Sequence, residues 1–120
     1  MKENLLHFIW KHKMFSTNYL FSTTGETIDV ISVGSANFNA GPDFLNAKVS
    51  IGEQRWAGNI EIHINSSDWY VHRHESDDNY ESIILHVVWE HDVEIFNSSN
   101  QRIPTLELKK FIAPKVLSNY

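Results

Sequence analysis

Between Ala57 and Glu75 one stretch, AGNIEIHINSSDWYVHRHE, gathers Glu61, His63, Asp68, His72, His74 and Glu75. Carboxylates and imidazoles at such density can bind a divalent cation or move protons. Side chains alternate across a strand, so over residues 56–65 Glu61 and His63 share a face with Ala57, Asn59 and Asn65. The opposite face receives Trp56, Gly58, Ile60, Ile62 and Ile64 and reads as core. A hairpin turn near Gly52 would fold the preceding strand back, bringing Asp43 beside Glu61 and His63, and a slip of one residue would turn that set away. Asp43, Glu61 and His63 would then form an oxygen-rich site suited to Mg²⁺ or Mn²⁺, the imidazole being better accepted by Mn²⁺. The alternative is a polar sheet face in water or hydrogen-bonded to its neighbours.

Three further histidines and one aspartate are candidates for substrate binding or a secondary metal: Asp68, His72, His74 and His86. His72 and His74 share a face if residues 66–81 are extended, but lie about 200° apart if they are helical. That segment, SSDWYVHRHESDDNYE, has no clean period, and it starts with helix-capping residues, so its conformation stays open. Asp68, Glu75, Asp77 and Asp78 supply carboxylates nearby or form the rim of a loop. His86 lies inside the apolar run SIILHVVWEH, where a satisfied core histidine is the ordinary reading; it matters to the site only if its face abuts Glu61 and His63.

The elements that must position these residues follow from periodicity. Leu5, Phe8, Ile9 and His12, widened by Leu6 and Trp10, predict an amphipathic helix over 3–14. Strands are predicted over 19–22, 27–33, 44–51, 56–65 and 82–91, with hairpin turns at 23–26 and around Gly52 and a Gly, Asn and Pro-rich loop over 34–43. A last hairpin is expected from 92–96 and 102–108 across the turn NSSNQ, with Pro104 marking an edge strand. The fold class is therefore α+β: an N-terminal helix packed on a mostly antiparallel, or mixed, β-sheet of five to seven strands. Ile60, Ile62, Ile64, Ile83, Leu85, Val87 and Trp89 contribute to the core. Residues 1–120 read as a single domain whose C-terminus, ELKKFIAPKVLSNY, lacks a convincing stop, as expected of the N-terminal portion of a longer protein.

Composition limits the chemistry. The chain has no cysteine, which excludes disulfides, thiolate metal sites and thiol nucleophiles. Its formal charge of −5 argues against gripping nucleic acid through bulk electrostatics. Lys2, Lys11 and Lys13, and Lys109, Lys110 and Lys115, read as solvated faces. No apolar run has membrane-spanning length and no signal peptide opens the chain, so no membrane partner and a cytoplasmic location are expected. Serine-hydrolase, phosphate-loop and dinucleotide motifs are absent.

GPDF-x-NA, the WAGNIEIH strand, SSDW-x-x-H-x-H and LHVVWEHD together resemble the N-terminal part of a bacterial family known as domain of unknown function 2851, over nearly all of residues 1–112. That resemblance implies a longer parent chain and no particular activity. More loosely, the order of helix, strand, Asp-bearing strand, Glu-x-basic strand, irregular segment and strand is similar to the PD-(D/E)XK nuclease core. This likeness implies Asp43 and Glu61 on Mg²⁺, with His63 where that superfamily carries the lysine that assists the attacking water. The resulting expectation is metal-assisted phosphodiester hydrolysis on DNA or RNA. The competing one is a non-catalytic β-rich interaction module that packs on the rest of a longer chain through Trp69, Tyr70 and Trp89.

Overall fold

The N-terminal stripe does form a helix, α1 (Glu3–Lys11), burying Leu6, Ile9 and Trp10. It stops three residues before the expected end. Met14 N–H returns to the Ile9 carbonyl (2.9 Å) and Lys13 N–H to that of Trp10 (3.1 Å), with Lys13 left-handed at φ 51°. This closing motif usually has glycine where Lys13 stands, so the sequence carries no stop signal there. The lysine side chain is used instead, its Nζ donating to the Val30 carbonyl (3.1 Å).

The computed structural model describes residues 1–118. Among them are seven strands in one sheet: β1 (Leu20–Phe21), β2 (Thr27–Ser32), β3 (Ser35–Ala36), β4 (Phe44–Ile51), β5 (Gln54–Asn65), β6 (Ile83–Glu90) and β7 (Thr105–Glu107). The order is β1-β2-β4-β5-β6-β7, with β3 also pairing β4. Pairs from β1 to β5 are antiparallel, whereas β5–β6 and β6–β7 are parallel. The fold is thus α+β with a mixed, mostly antiparallel sheet. Thr23 N–H donates to the Thr105 carbonyl (2.9 Å), bringing the two ends of the sheet together so that it nearly closes on itself.

The expected last hairpin forms only around its turn: Phe96 bridges Arg102 antiparallel, with Ile103 N–H donating to the Ile95 carbonyl (3.0 Å) and Asn97 N–H to that of Gln101 (3.0 Å). Its second arm does not continue antiparallel, because residues 92–104 recross the molecule and deliver Thr105–Glu107 to β6 as the parallel strand β7. The recrossing is tied down by Ser66, whose hydroxyl accepts from the N–H groups of Asp92 (2.9 Å) and Val93 (3.0 Å) and donates to Asp92 Oδ1 (2.7 Å). Pro104 stands just before β7, the last strand in the order, as its missing N–H requires.

Parallel pairing of β5 with β6 demands a crossover, and residues 66–82 supply it. They contain a short helix α2 (Asp68–Val71) and two 3₁₀ turns, His74–Ser76 and Asp78–Tyr80. Leu6, Ile9, Trp10, Phe44, Val49, Ile60, Ile62, Leu85 and Val87 form the main apolar cluster, and full burial of each aliphatic side chain contributes roughly 1.5–3 kcal/mol. A second cluster, Trp69, Tyr80, Ile83, Ile95 and Ile103, lies under the crossover and the recrossing segment. Ile64 and Trp89 are only half-buried, and Trp56 is exposed, because β5 begins with a run of exposed residues, Gln54–Ala57, beyond the packed sheet. A short helix α3 (Pro114–Ser118) ends the described chain.

Candidate functional site

The position of Asp43 depends on a bulge. β4 and β5 pair in one register from Ile51–Gln54 through Ala47–Gly58, and continuing it would set Asp43 opposite Ile62. The register shifts between Ala47 and Phe44, where Asn46 turns left-handed (φ 58°) and its N–H bonds Asn59 Oδ1 (3.1 Å). Phe44 then faces Ile60, and Asp43 arrives beside Glu61. Gly34 is required at this point: a Cβ there would lie 2.6 Å from the Leu45 carbonyl oxygen, and its φ is +87°. The loop beyond β3 is fastened by Asn37, whose N–H bonds the Asp43 carbonyl (2.9 Å) and whose Nδ2 bonds that of Pro42 (2.9 Å).

Two reciprocal bonds lock the carboxylates. Asp43 N–H donates to Glu61 Oε1 (3.2 Å), and Ile62 N–H donates to Asp43 Oδ2 (2.8 Å). The expected neighbourhood of Asp43, Glu61 and His63 is therefore present. Its setting differs from a solvated sheet face: Glu61 and His63 are 4% and 2% exposed, because α2 and the 3₁₀ turns fold over them.

That cover brings His72 and His74 onto the same spot. The segment is helical on either side of a break: α2 ends at its cap, His72, a 3₁₀ turn begins at His74, and Arg73 between them is left-handed at φ 58°, a kink that lets both flanking imidazoles approach His63. Ring centres lie 5.0 Å (His63–His72), 5.2 Å (His63–His74) and 5.5 Å (His72–His74) apart. One nitrogen from each of the three falls within 4.8 Å of the others. Glu61 Oε2 points into the same group, 2.7 Å from His74 Nε2 and 3.5 Å from His63 Nε2. The His74 contact has hydrogen-bond length, and a protonated Glu61 can donate from Oε2 to the Nε2 lone pair; nothing else bonds this buried ring. Once that proton is displaced, the same oxygen and nitrogen present two electron pairs to a cation. Tyr80 stacks on His74 at 3.7 Å, and Trp69 meets its edge at 5.1 Å, fixing the ring.

His86 joins from β6. It is fully buried, pairs across the strand with Glu61, and its Nε2 lies 2.7 Å from His63 Nδ1. It reaches the cluster through His63, holding that ring so that Nε2 faces Glu61. Asp68 is not brought in: its Oδ2 accepts from Asn65 N–H (3.1 Å), holding the turn between β5 and α2.

The charge states follow from burial. Desolvation, then the neighbouring Asp43 carboxyl, pushes Glu61 up to about 10. Burial, reinforced by the other imidazoles, lowers His63 to about 3 and His74 to about 4, and holds His86 well below its ordinary range. At neutral pH the rings are uncharged and keep lone pairs for a metal. Glu61 instead keeps a proton that a metal would displace.

Two residues missed by the sequence reading complete the surroundings. Glu3 and His7 project from one face of α1, their side chains 3.6 Å apart, and His7 Nε2 lies 3.7 Å from Asp43 Oδ2. The i, i+4 spacing of Glu3 and His7 was available as a signal. Trp69 and Tyr70, expected as partner contacts, are committed inside: Trp69 Nε1 donates to the Phe96 carbonyl (2.9 Å) and the Tyr70 hydroxyl to that of Glu94 (3.1 Å). Among the described residues no helix is long and apolar enough to cross a membrane.

The profile of one protein family, described as "Protein of unknown function (DUF2851)", matches residues 3–120. No curated protein and no solved structure matches the chain, so the looser likeness to the PD-(D/E)XK nucleases gains no support from these comparisons.

Proposed function

The chain belongs to the DUF2851 family, whose description assigns no activity, and from its site we propose that it is a metal-dependent phosphodiesterase acting on nucleic acid. The ion would sit on His63, His74 and His72 with Glu61 Oε2 as the carboxylate ligand. The observation that carries this reading is the gathering of one nitrogen each from His63, His72 and His74 within 4.8 Å of one another, with Glu61 Oε2 set against His74 (2.7 Å) and His63 (3.5 Å). Three nitrogens and one oxygen suit Mn²⁺, Zn²⁺ or Fe²⁺ better than Mg²⁺, which prefers oxygen and retains water. Such an ion supplies a nucleophile at neutral pH by lowering the pKa of bound water to about 7. His72 is exposed, which keeps one side of the cluster open to solvent and substrate.

Two surface features favour a phosphodiester over other esters. Arg73, exposed between the two histidines, has no ion-pair partner among the described residues and offers a guanidinium to an anion. Phe38, 92% exposed in the loop next to Asp43, offers a flat face for a base. The competing reading, an interaction module without catalysis, would use exposed Phe38, Tyr19 and Val71 as its contacts, since Trp69 and Tyr70 are occupied. Calorimetric titration of Mn²⁺, Zn²⁺ and Mg²⁺ into the chain and a folded His72→Ala/His74→Ala variant tests the metal. Hydrolysis of bis(p-nitrophenyl) phosphate and of single-stranded and duplex DNA and RNA tests the chemistry. Binding lost in the variant, with hydrolysis lost in parallel, supports the proposal. Absence of binding refutes it, and binding without hydrolysis of any of these leaves the interaction module.

A further inference from the structure

We propose that the site holds a second divalent cation, on Glu3, His7 and Asp43, so that the protein carries a two-ion centre with the Asp43–Glu61 pair between the ions. The inference rests in part on the metal reading above, which supplies the first ion.

The donor atoms separate into two groups. Glu61 turns Oε2 toward the histidines, whereas Asp43 turns Oδ2 toward α1, 3.7 Å from His7 Nε2. One ligand atom each from Glu3, His7 and Asp43 falls within 4.8 Å of the others. None of these contacts is a hydrogen bond: His7 Nε2 is shielded from solvent and bonds nothing, although a carboxylate oxygen stands on either side at 3.6 and 3.7 Å. Three donors are spaced around a common point and too far apart to satisfy one another.

Charge provides an independent argument. Glu3, Asp43 and Glu61 are contiguous, and among the described residues their ion-pair contacts are with histidines and none is with a lysine or arginine. A single dication on the histidine side compensates Glu61 and leaves the half-buried Asp43 carboxylate with only His7 and the exposed Glu3 beside it. The second group also has the composition for a hard or borderline ion, two carboxylates and one imidazole, and it is half open to water, which would fill the remaining positions. Asp43 and Glu61 face each other across β4 and β5, so their carboxyls separate the two groups. In two-metal hydrolytic sites the ions lie about 3.5–4 Å apart and share such carboxylates, one ion activating the nucleophile and the other stabilising the leaving oxygen.

The probe is Mn²⁺. Equilibrium dialysis with elemental analysis on the wild-type chain should give two ions per chain, and low-temperature electron paramagnetic resonance should show an exchange-coupled pair. Glu3→Gln/His7→Asn, which leaves all four ligands of the histidine group in place, should retain one ion and convert the spectrum to that of an isolated Mn²⁺. His72→Ala/His74→Ala should also retain one ion, at the other position. A wild-type chain that binds one ion, unaffected by Glu3→Gln/His7→Asn and lost in His72→Ala/His74→Ala, overturns this inference and leaves the histidine centre standing. One ion lost only in Glu3→Gln/His7→Asn establishes the α1 site while overturning both the paired centre and the histidine site. No ion bound to folded wild type overturns both readings. Circular dichroism on each variant confirms that lost binding is not lost fold.

Discussion

Replacing Glu61 by glutamine should stabilise the metal-free protein, and by an amount that grows with pH. In the folded chain burial and Asp43 raise Glu61 from an ordinary 4.5 to about 10, so at neutral pH it is protonated when folded and ionised when unfolded. The native state therefore binds more protons between those limits, and stability falls as pH rises through the window, by about 1.4 kcal/mol per pH unit. Glutamine has the shape of the protonated carboxyl, its oxygen can accept the Asp43 N–H as Oε1 does, and it has no proton to lose. The stability difference between variant and wild type should be near zero at pH 4.5 and open to as much as about 5 kcal/mol at pH 8, the amide's own imperfect fit reducing it. Urea unfolding in the presence of a chelator, repeated from pH 5 to 8, measures the difference directly. Saturating Mn²⁺ should reverse the order, because the metal stabilises wild type by mass action and glutamine is a poor ligand. A difference that stays flat with pH would show that Glu61 is ionised in the native state and that the argument from burial fails.

Three further outcomes follow from the same geometry. On the acid side the sign is opposite: His63 and His74 are lowered from 6.5 to about 3 and about 4, so the unfolded chain takes up more protons. Metal-free stability should then fall as pH drops below 6.5, each ring contributing up to about 1.4 kcal/mol per pH unit until its folded pKa is reached, and urea midpoints should peak near pH 6.5; a plateau from pH 4 to 6.5 would contradict it. Trp69→Ala removes a fully buried ring that walls His74 and His86, and should cost about 3–5 kcal/mol in urea unfolding and weaken Mn²⁺ binding; a variant with unaltered affinity would show that the wall is dispensable. Gly58→Ala would put a Cβ 2.5 Å from Ile84 Cγ2 and 2.7 Å from the Ser82 carbonyl, so the β5–β6 pairing should lose about 1–3 kcal/mol, and a change within 0.5 kcal/mol would refute the close approach.

The elements read well wherever period and punctuation agreed. β4 appears with the expected bounds, and the alternation in β5 correctly separated Ile60 and Ile62 from Glu61 and His63. The reading failed where a tertiary contact replaced a local signal. Lys13 ends α1 without glycine because its ammonium finds the Val30 carbonyl, and the chain leaves β6 at Asp92 and Val93, where Ser66, far away in sequence, supplies the bonds, so that the hairpin around residues 97–101 feeds a parallel β7. A polar turn specifies the hairpin around it and not the direction in which the next strand joins the sheet.

The site was half legible for a related reason. Strand parity put Glu61 and His63 together, but whether Asp43 joined them depended on a one-residue bulge at Asn46, an event that alternation cannot express. The histidines of residues 66–81 had the right chemistry without a period to orient them, since their conformation is fixed by what they cover. A strand that buries one face in an apolar core and carries Glu61 and His63 on the other needs either water or a polar lid there. The lid has no amphipathic pattern because its inner surface mixes His74 with the buried rings of Trp69 and Tyr80, and its one left-handed residue, Arg73, is the kind of local cost, on the order of 1 kcal/mol, that a chain sustains when the surrounding contacts require it. A buried carboxylic acid beside neutral imidazoles is likewise a poor choice for stability alone, and the Glu61→Gln experiment measures how poor. The larger the gain from that substitution in the metal-free protein, the stronger the case that the native residue is retained for a cation.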